Sequence, residues 1–434
     1  MVEEILTIIS DTLSGWAGLI VFLLALYVLV TLGRNFWLIR IRKKFIDKME
    51  WVTLEVKIPK ENLKSPKAME QVFASIYSTY SFGFKWIDKW WVGKVEEWMS
   101  FEIVGISSGM HFFVHVLKNR RNLIESALFS QYPEVEIHEA EDYTFRFGED
   151  LPNDTYDLFG TDFMLARENY YPIKTYPFFE ENIEERRLDP IATISEVASG
   201  LKADEMVWLQ ILIRPTGSAW KDESEELINK IMGRSKKTPK GFTDVIVEFL
   251  TNFIFAPMQY PTWGKGGAGE EKPAGTKMMP TPGEQEILKS VENKTSKPGF
   301  ETILRFIYLD KKDSFTADNV SAVMGAMNQF RTQHLNSFRP NMGTLTIPRA
   351  VGLFFRKRRL LKRKKKLFKA YLNRDVQMSP KPPFTLNLKA SILCIEELAT
   401  IYHPPITAVG APSLRPLEAK KGSPPPNLPI VGNE

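Results

Sequence analysis

Met99–Leu117 reads MSFEIVGISSGMHFFVHVL, two strand-like runs either side of Ser107-Ser108-Gly109. Gly109 is free to take the positive φ of a tight turn, so the stretch is a hairpin of Met99–Ile106 and Met110–Leu117. Working outward, Trp51–Ile58 (WVTLEVKI) alternates apolar and polar residues as a half-buried strand does, and Pro59 ends it. Ser65-Pro66 can cap and start a helix whose apolar positions, Met69, Val72, Phe73, Ile76 and Tyr80, recur at a 3.6-residue spacing. Beyond the hairpin, Asn122–Ser130 reads as a helix on Leu123, Ala127 and Leu128, and Val135–Ala140 as a closing strand. The order over residues 51–145 is βαββαβ, which predicts a ferredoxin-like domain with two helices on one face of an antiparallel sheet.

A looser second round fills residues 146–348. A strand at Phe163–Ala166 leads to a helix at Pro190–Gly200 with Asp189 as its N-cap. Met206–Ile213 (MVWLQILI) is almost continuously apolar, as a central strand is. Ser218–Met232 and Phe242–Phe255 read as helices, Glu301–Leu309 as a strand, and Ala317–Phe330 as a helix with Val320, Val323, Met324 and Met327 on one face. Phe242–Phe255 is too short to span a bilayer and carries Asp244 and Glu248, so it is a packed amphipathic helix. Gly264–Gly283 is rich in glycine and proline and reads as a mobile inserted loop.

Ahead of both units, Thr12–Gly33 (TLSGWAGLIVFLLALYVLVTLG) runs 22 residues without a charge. That length crosses a hydrocarbon core of about 30 Å at about 1.5 Å per helical residue. Trp16, Leu19, Ile20, Phe22, Leu23, Leu24, Leu26, Tyr27 and Leu29 are its anchoring side chains. Glu3, Glu4 and Asp11 precede it; Arg34, Arg40, Arg42, Lys43, Lys44 and Lys48 follow, opposed only by Asp47. Basic flanks stay inside, so residues 1–11 should lie outside, 34–50 form a basic juxtamembrane segment, and the remainder be cytoplasmic. An acidic leader without a small-x-small site argues against a cleaved signal peptide. The plain alternative is a buried core helix, though such helices are seldom this long and uniformly apolar. The expected class is therefore α+β: one N-terminal transmembrane helix, two tandem ferredoxin-like domains, and a helical, basic C-terminal region at 349–403.

Composition is ordinary for globular protein, 44% hydrophobic and 25% charged with a net charge of +5, but the charge is unevenly placed. Residues 134–187 hold fifteen acids against five bases, whereas 356–374 hold eleven bases and no acid. Cys394 is the only cysteine, which rules out an internal disulfide.

No stretch completes a catalytic motif. Gly264, Gly266 and Gly269 spell G-x-G-x-x-G, but they follow Pro261-Thr262-Trp263 and lead into Glu270-Glu271, without the strand and helix that would hold a pyrophosphate. A Walker A loop would need Lys and Ser/Thr where those glutamates stand. His111 and His115 share a strand face with no third ligand nearby, and His138 is on another strand, so sheet-face histidines are the better account. Cys394 falls among Ile392, Leu393 and Ile395 and reads as core packing. Glu180, Glu181, Glu184 and Glu185 have neither a paired base nor a nucleophile. The expectation is a protein without enzymatic activity, cofactor or metal.

The strongest functional signal is Arg356–Lys369, RKRRLLKRKKKLFK. Arg356, Lys357, Arg358, Arg359, Lys362, Arg363, Lys364, Lys365, Lys366 and Lys369 alternate with a stripe of Leu353, Phe354, Leu360, Leu361, Leu367, Phe368, Tyr371 and Leu372. Such a helix suits nucleic-acid phosphates or an anionic leaflet. It equally suits packing on the protein's own core, with its charges answering the acidic 134–187 block. Leu386–Tyr402 reads as a further helix, and residues 404–434 as an extended proline-rich tail.

An ordered series of strings carries a resemblance: Leu54–Tyr80, Ser130–Thr144 (SQYPEVEIHEAEDYT), Asp189–Pro215, Asn328–Pro340 (NQFRTQHLNSFRP), Glu396–Pro405 and the PPPNLP of Pro424–Pro429. Together they resemble the membrane-anchored, uncharacterised N-terminal module found in candidate-phyla bacteria beside ATPases of the type IV secretion and conjugative coupling class. In such relatives a PPPNLP-like segment leads into the P-loop motor, whose motifs are absent here. The resemblance implies a non-catalytic scaffold or adaptor at the cytoplasmic membrane, docking a separate P-loop ATPase. A membrane-tethered nucleic-acid-binding protein is the alternative, and homo-oligomerisation stays open.

Overall fold

The structure, a computed structural model, describes residues 2–59, 64–148, 150–179, 189–232, 281–351, 354–381, 386 and 388–406. The expected helix at Phe242–Phe255, the glycine motif at 264–269, the glutamates at 180–185 and the tail from 407 onward lie outside these residues.

The hairpin that organises the sequence is β2 (Met99–Ile106) and β3 (Gly109–Leu117), in register from Ser100↔His115 to Ile106↔Gly109, with Gly109 at φ 116°. β1 (Trp51–Lys57) pairs with β3, and β4 (Glu136–Glu139) pairs with β1. The second half contributes β5 (Tyr156–Leu165), β6 (Met206–Pro215), β7 (Gly299–Lys311) and β8 (Phe338–Pro340). All join one antiparallel sheet in the order β4-β1-β3-β2-β6-β7-β5-β8, with β9 (Ser391–Cys394) beside β7. The halves meet where β2 pairs with β6, from Met99↔Ile213 to Gly105↔Val207. Both outer strands are short, and β4 reads EIHE; a charged stub resists edge-to-edge pairing with another sheet.

Strand alternation divides the core. Val207, Leu209, Ile211 and Ile213 of β6 face one layer. That layer is built by α2 (Lys67–Ile76), α3 (Arg121–Gln131), α4 (Ala192–Ser199), α7 (Ala317–Met327) and α9 (Ile395–Ile401). Met206 and Trp208 point to the opposite face and meet Leu367, Phe368 and Tyr371 of α8 (Arg356–Leu372). Leu212, Ile303, Val95 and Trp98 form a third cluster on that face, against Phe45, Ile46 and Met49. Outside these layers lie α5 (Ala219–Ile231) and α6 (Pro282–Ser296).

Helix α1 runs unbroken over Val2–Ile46. By length and composition, Gly18–Ile46 is the one helix among the described residues apolar enough to cross a membrane. Its last turns are not a free juxtamembrane segment. Leu38 and Ile41 are buried, Trp37 Nε1 donates to the Trp90 carbonyl at 2.8 Å, and Gly93 abuts the Ile41 backbone so closely that a Cβ there would stand 2.6 Å from Ile41 C.

Several expectations are corrected. Leu386–Tyr402 is not one helix: Ser391–Cys394 is a strand paired with Gly299–Thr302, and only Ile395–Ile401 is helical. The 349–403 region is thus built into the sheet and both faces, not appended to them. The strand expected at Phe163–Ala166 begins at Tyr156, because Asp157, Thr161 and Asp162 find partners that hide their polarity. Asp189 does not cap α4 itself; its carboxylate accepts from Ile191 N and meets His403 and Ile406 N. The loop expected to extend to Gly283 has ended by Thr281, which forms a capping box with Glu284 at the start of α6.

Candidate anion-binding face on a polar-stapled helix

Helix α8 forms because its arginines, lysines and leucines lose little rotamer freedom in a helix, and because one stripe meets the sheet. Only the C-terminal half of that stripe is buried. Leu367, Phe368, Ala370 and Tyr371 are in the core, whereas Phe354, Phe355 and Leu361 remain exposed. Gly160 on β5 makes the approach possible: a Cβ there would stand 2.6 Å from Leu367 Cδ2. The helix ends in a Schellman motif, with Asp375 N donating to the Ala370 carbonyl at 2.9 Å and Arg374 N to that of Tyr371 at 3.1 Å. The left-handed position usually given to glycine is held by Arg374 at φ 50°.

Beneath this end lies a row of buried polar side chains running straight across the sheet. Glu102, Gln210, Arg305 and Asp162 stand directly opposite one another in register on β2, β6, β7 and β5, and all are fully buried. Gln210 Nε2 donates to Glu102 Oε1 at 2.8 Å and to the Tyr371 carbonyl at 3.1 Å. Arg305 donates through Nε to Asp162 Oδ1 at 2.8 Å, and through Nη1 to Gln210 Oε1 and the Ala370 carbonyl at 3.0 and 2.7 Å. Arg374 bridges Glu102 and Asp142, and Tyr143 donates to Glu102 Oε2 at 2.8 Å. Buried polar groups persist where they are paired, and here most of them grip the last turn of α8. Asp162 Oδ2 alone in the row has no hydrogen-bond partner among the described residues.

The charges follow from this enclosure. Burial works against the Arg374 charge, but Glu102 and Asp142 raise its pKa above the ordinary value. Burial raises Asp162 despite Arg305 beside it. Asp375 is pushed up to about 6 by burial, with Arg305 and Lys369 opposing. His115 is pulled down to about 4, first by burial and then by Arg374.

Of the ten bases predicted from sequence, four answer internal partners. Arg363 donates to the Met342 and Leu345 carbonyls, Arg359 to that of Val351, Lys364 meets Asp157 at 2.6 Å, and Lys365 meets Asp150 at 3.1 Å. Those two aspartates, with Asp142, belong to the acidic 134–187 block, so part of the basic helix does answer that block. The side chains of Arg356, Lys357, Arg358 and Lys362 make no hydrogen bond or ion pair with another described residue. Arg358, Lys362, Lys365, Lys366, Lys369 and Arg374 line a groove of about 1080 Å³ together with Trp51, His115 and Phe145, and with Asp150 and Asp142, which answer Lys365 and Arg374. Burial, and then the like charges of Lys362 and Lys381, lower the pKa of Lys366, as a concentrated positive field does. Such a groove can hold an anion and stack a ring; among the described residues no group of acids, histidines and cysteine gathers to hold a metal.

The predicted anchor residues Trp16, Leu19, Ile20, Phe22, Leu23, Leu24, Leu26, Tyr27 and Leu29 all project from α1 exposed. Of the histidines, His111 pairs with Glu55 at 3.0 Å, His115 bonds Thr53 and stacks on Trp51, and His138 lies beside Glu136. Cys394 is buried. Sequence reasoning missed the polar row. Its one available signal was a charge placed midway along an apolar strand, at Glu102 and again at Arg305.

No curated protein matches the chain. Residues 42–366, well over half of the 434, match the family described as a domain of unknown function, DUF8128, a span running from the last turns of α1 through most of α8. The protein belongs to the DUF8128 family.

Proposed function

We propose that the protein is a non-catalytic, single-pass scaffold of the cytoplasmic membrane, whose cytoplasmic body presents the basic face of α8 to an assembly partner. The observation that carries this reading is the continuity of α1. One helix passes from an exposed apolar run into turns that the body grips through Leu38 and Ile41, so the body is held against the anchor without a flexible linker. The basic cluster after Gly33 orients the body inward. The titratable groups on the sheet are enclosed under α8 and hold that helix, which is a structural use of them. The body itself is read as two ferredoxin-like units joined edge to edge. In each half, counting outward from the β2·β6 junction, the second, third, first and fourth strands follow in that order.

The resemblance of the sequence names the partner class, a separate P-loop motor of the type IV secretion or DNA-transfer kind. Co-production of such an ATPase with the full chain, followed by detergent extraction, should recover both together. Loss of the ATPase under mild, low-salt extraction counts against the reading.

Membrane-tethered nucleic-acid binding is the second reading. It is favoured by the groove, where six bases accompany Trp51 and Phe145. Full-length protein in neutral-lipid nanodiscs would then bind DNA with an affinity falling steeply with salt.

A further inference from the structure

We infer that Phe82–Val92 is a second membrane contact, a short aromatic segment lying in the headgroup layer of the same bilayer that α1 crosses. The inference rests on the reading of α1 as a span. Phe82, Trp86, Ile87 and Trp91 are 84%, 65%, 63% and 63% exposed, four large apolar side chains within ten residues. Exposed apolar residues scattered singly are ordinary; a cluster of this kind marks a contact surface. The backbone holds it outward. Phe82 and Gly83 both take positive φ, 52° and 97°, a conformation in which a bulky side chain is rarely found. Asp88–Val92 forms a single wide turn closed by Gly93 at φ 76°.

What covers this cluster follows from where α1 holds it. Trp37 Nε1 donates to the Trp90 carbonyl at 2.8 Å, and the Trp37 and Trp91 rings meet edge to face at 6.0 Å. Trp37 stands four residues past Gly33, where the uncharged run ends, hence about 6 Å along the helix axis. The headgroup layer on each side is roughly 5–7 Å deep, so Trp37 and its partners fall within it. Trp16 lies near the other boundary: 17 residues separate it from Gly33, about 26 Å of helix, against a hydrocarbon thickness of about 30 Å. Tryptophan is enriched at both such boundaries. Lys85 and Lys89 are exposed on the same segment, suited to lipid phosphates above the rings. The occupant is therefore a lipid headgroup layer, and the contact would fix the tilt of the body against the membrane.

The test uses the full chain in nanodiscs of phosphatidylcholine and phosphatidylglycerol, with one introduced cysteine carrying a fluorescent label; Cys394 is buried and stays unlabelled in the folded protein. Labels at Phe82→Cys and Ile87→Cys should be quenched by brominated lipid, and severalfold less by iodide than a label at Ala203→Cys. Iodide quenching as strong at 82 and 87 as at 203 would overturn the inference. Protection from iodide without quenching by brominated lipid would mean a protein covers the segment, and would overturn it equally. Leu24→Cys separates the two levels: if its label too escapes brominated-lipid quenching, the span has failed, whereas quenching at 24 but not at 87 condemns only the second contact.

Discussion

Arg374 is a bulky residue in a glycine position, and its left-handed conformation costs on the order of 1 kcal/mol or more. It persists because the guanidinium reaches Glu102 and Asp142. Arg374→Gly would relieve the backbone but leave Glu102 buried with its countercharge gone, so the account expects a net loss of stability. The neighbouring pair makes a cleaner measurement. Arg305→Met strands Asp162 in the core and should cost about 3–5 kcal/mol in denaturant unfolding, and adding Asp162→Asn should recover part of that loss. Asp375 supplies a pH signature. Its pKa is higher folded, about 6, than its ordinary 3.8, so between those values the folded chain holds a proton that the unfolded chain releases. Stability from this group therefore falls as pH rises from about 4 to 6. His115, depressed to about 4, works in the opposite direction, contributing stability that is lost as pH falls below its ordinary 6.5. The Asp375→Asn variant isolates the first effect: its stability relative to the natural chain should grow over that window, by at most about 3 kcal/mol.

At the scale of elements, α8 is a basic helix seated by its C-terminal half and displayed by the rest. Replacing Arg358, Lys362 and Lys369 with glutamine should leave thermal unfolding nearly unchanged while flattening the salt dependence of any polyanion binding. Arg363 and Lys364 do not belong in that set, since both answer internal partners. Leu367→Ala should cost about 2–5 kcal/mol, because the side chain fills the space above Gly160. Much of the first half was legible: the hairpin, β1, α2, α3 and β4 fall where alternation, helical spacing and Gly109 placed them. What failed had non-local causes. The early part of β5 looked polar because Asp162 needs an arginine from β7, and sequence spacing cannot see that partner. Ser391–Cys394 looked helical because its apolar neighbours fit a 3.6-residue period, but the open edge of β7 captured it as a strand. Thr281-Pro282-Gly283-Glu284 carried the capping box of α6 in plain view, hidden only by the glycine-rich stretch before it. The basic helix itself was fully visible; which of its charges were already answered was not.

For the whole molecule, the boundary between anchor and body lies earlier than the end of the apolar run and the start of β1 suggested together. A soluble chain beginning at Glu50 loses Phe45, Ile46 and Met49 from the cluster with Trp98, Leu212 and Ile303. It should aggregate or unfold at lower temperature than one beginning at Arg34, as light scattering during a thermal ramp would record. The central claim is that α1 crosses the membrane and holds the body on its cytoplasmic side. The direct measurement places a cysteine at exposed Ala203 in the full chain and applies a membrane-impermeant maleimide to intact cells and to inverted vesicles. The account predicts labelling in inverted vesicles and none in intact cells; labelling of intact cells, or extraction of the unlabelled chain from membranes by alkaline carbonate, would contradict it.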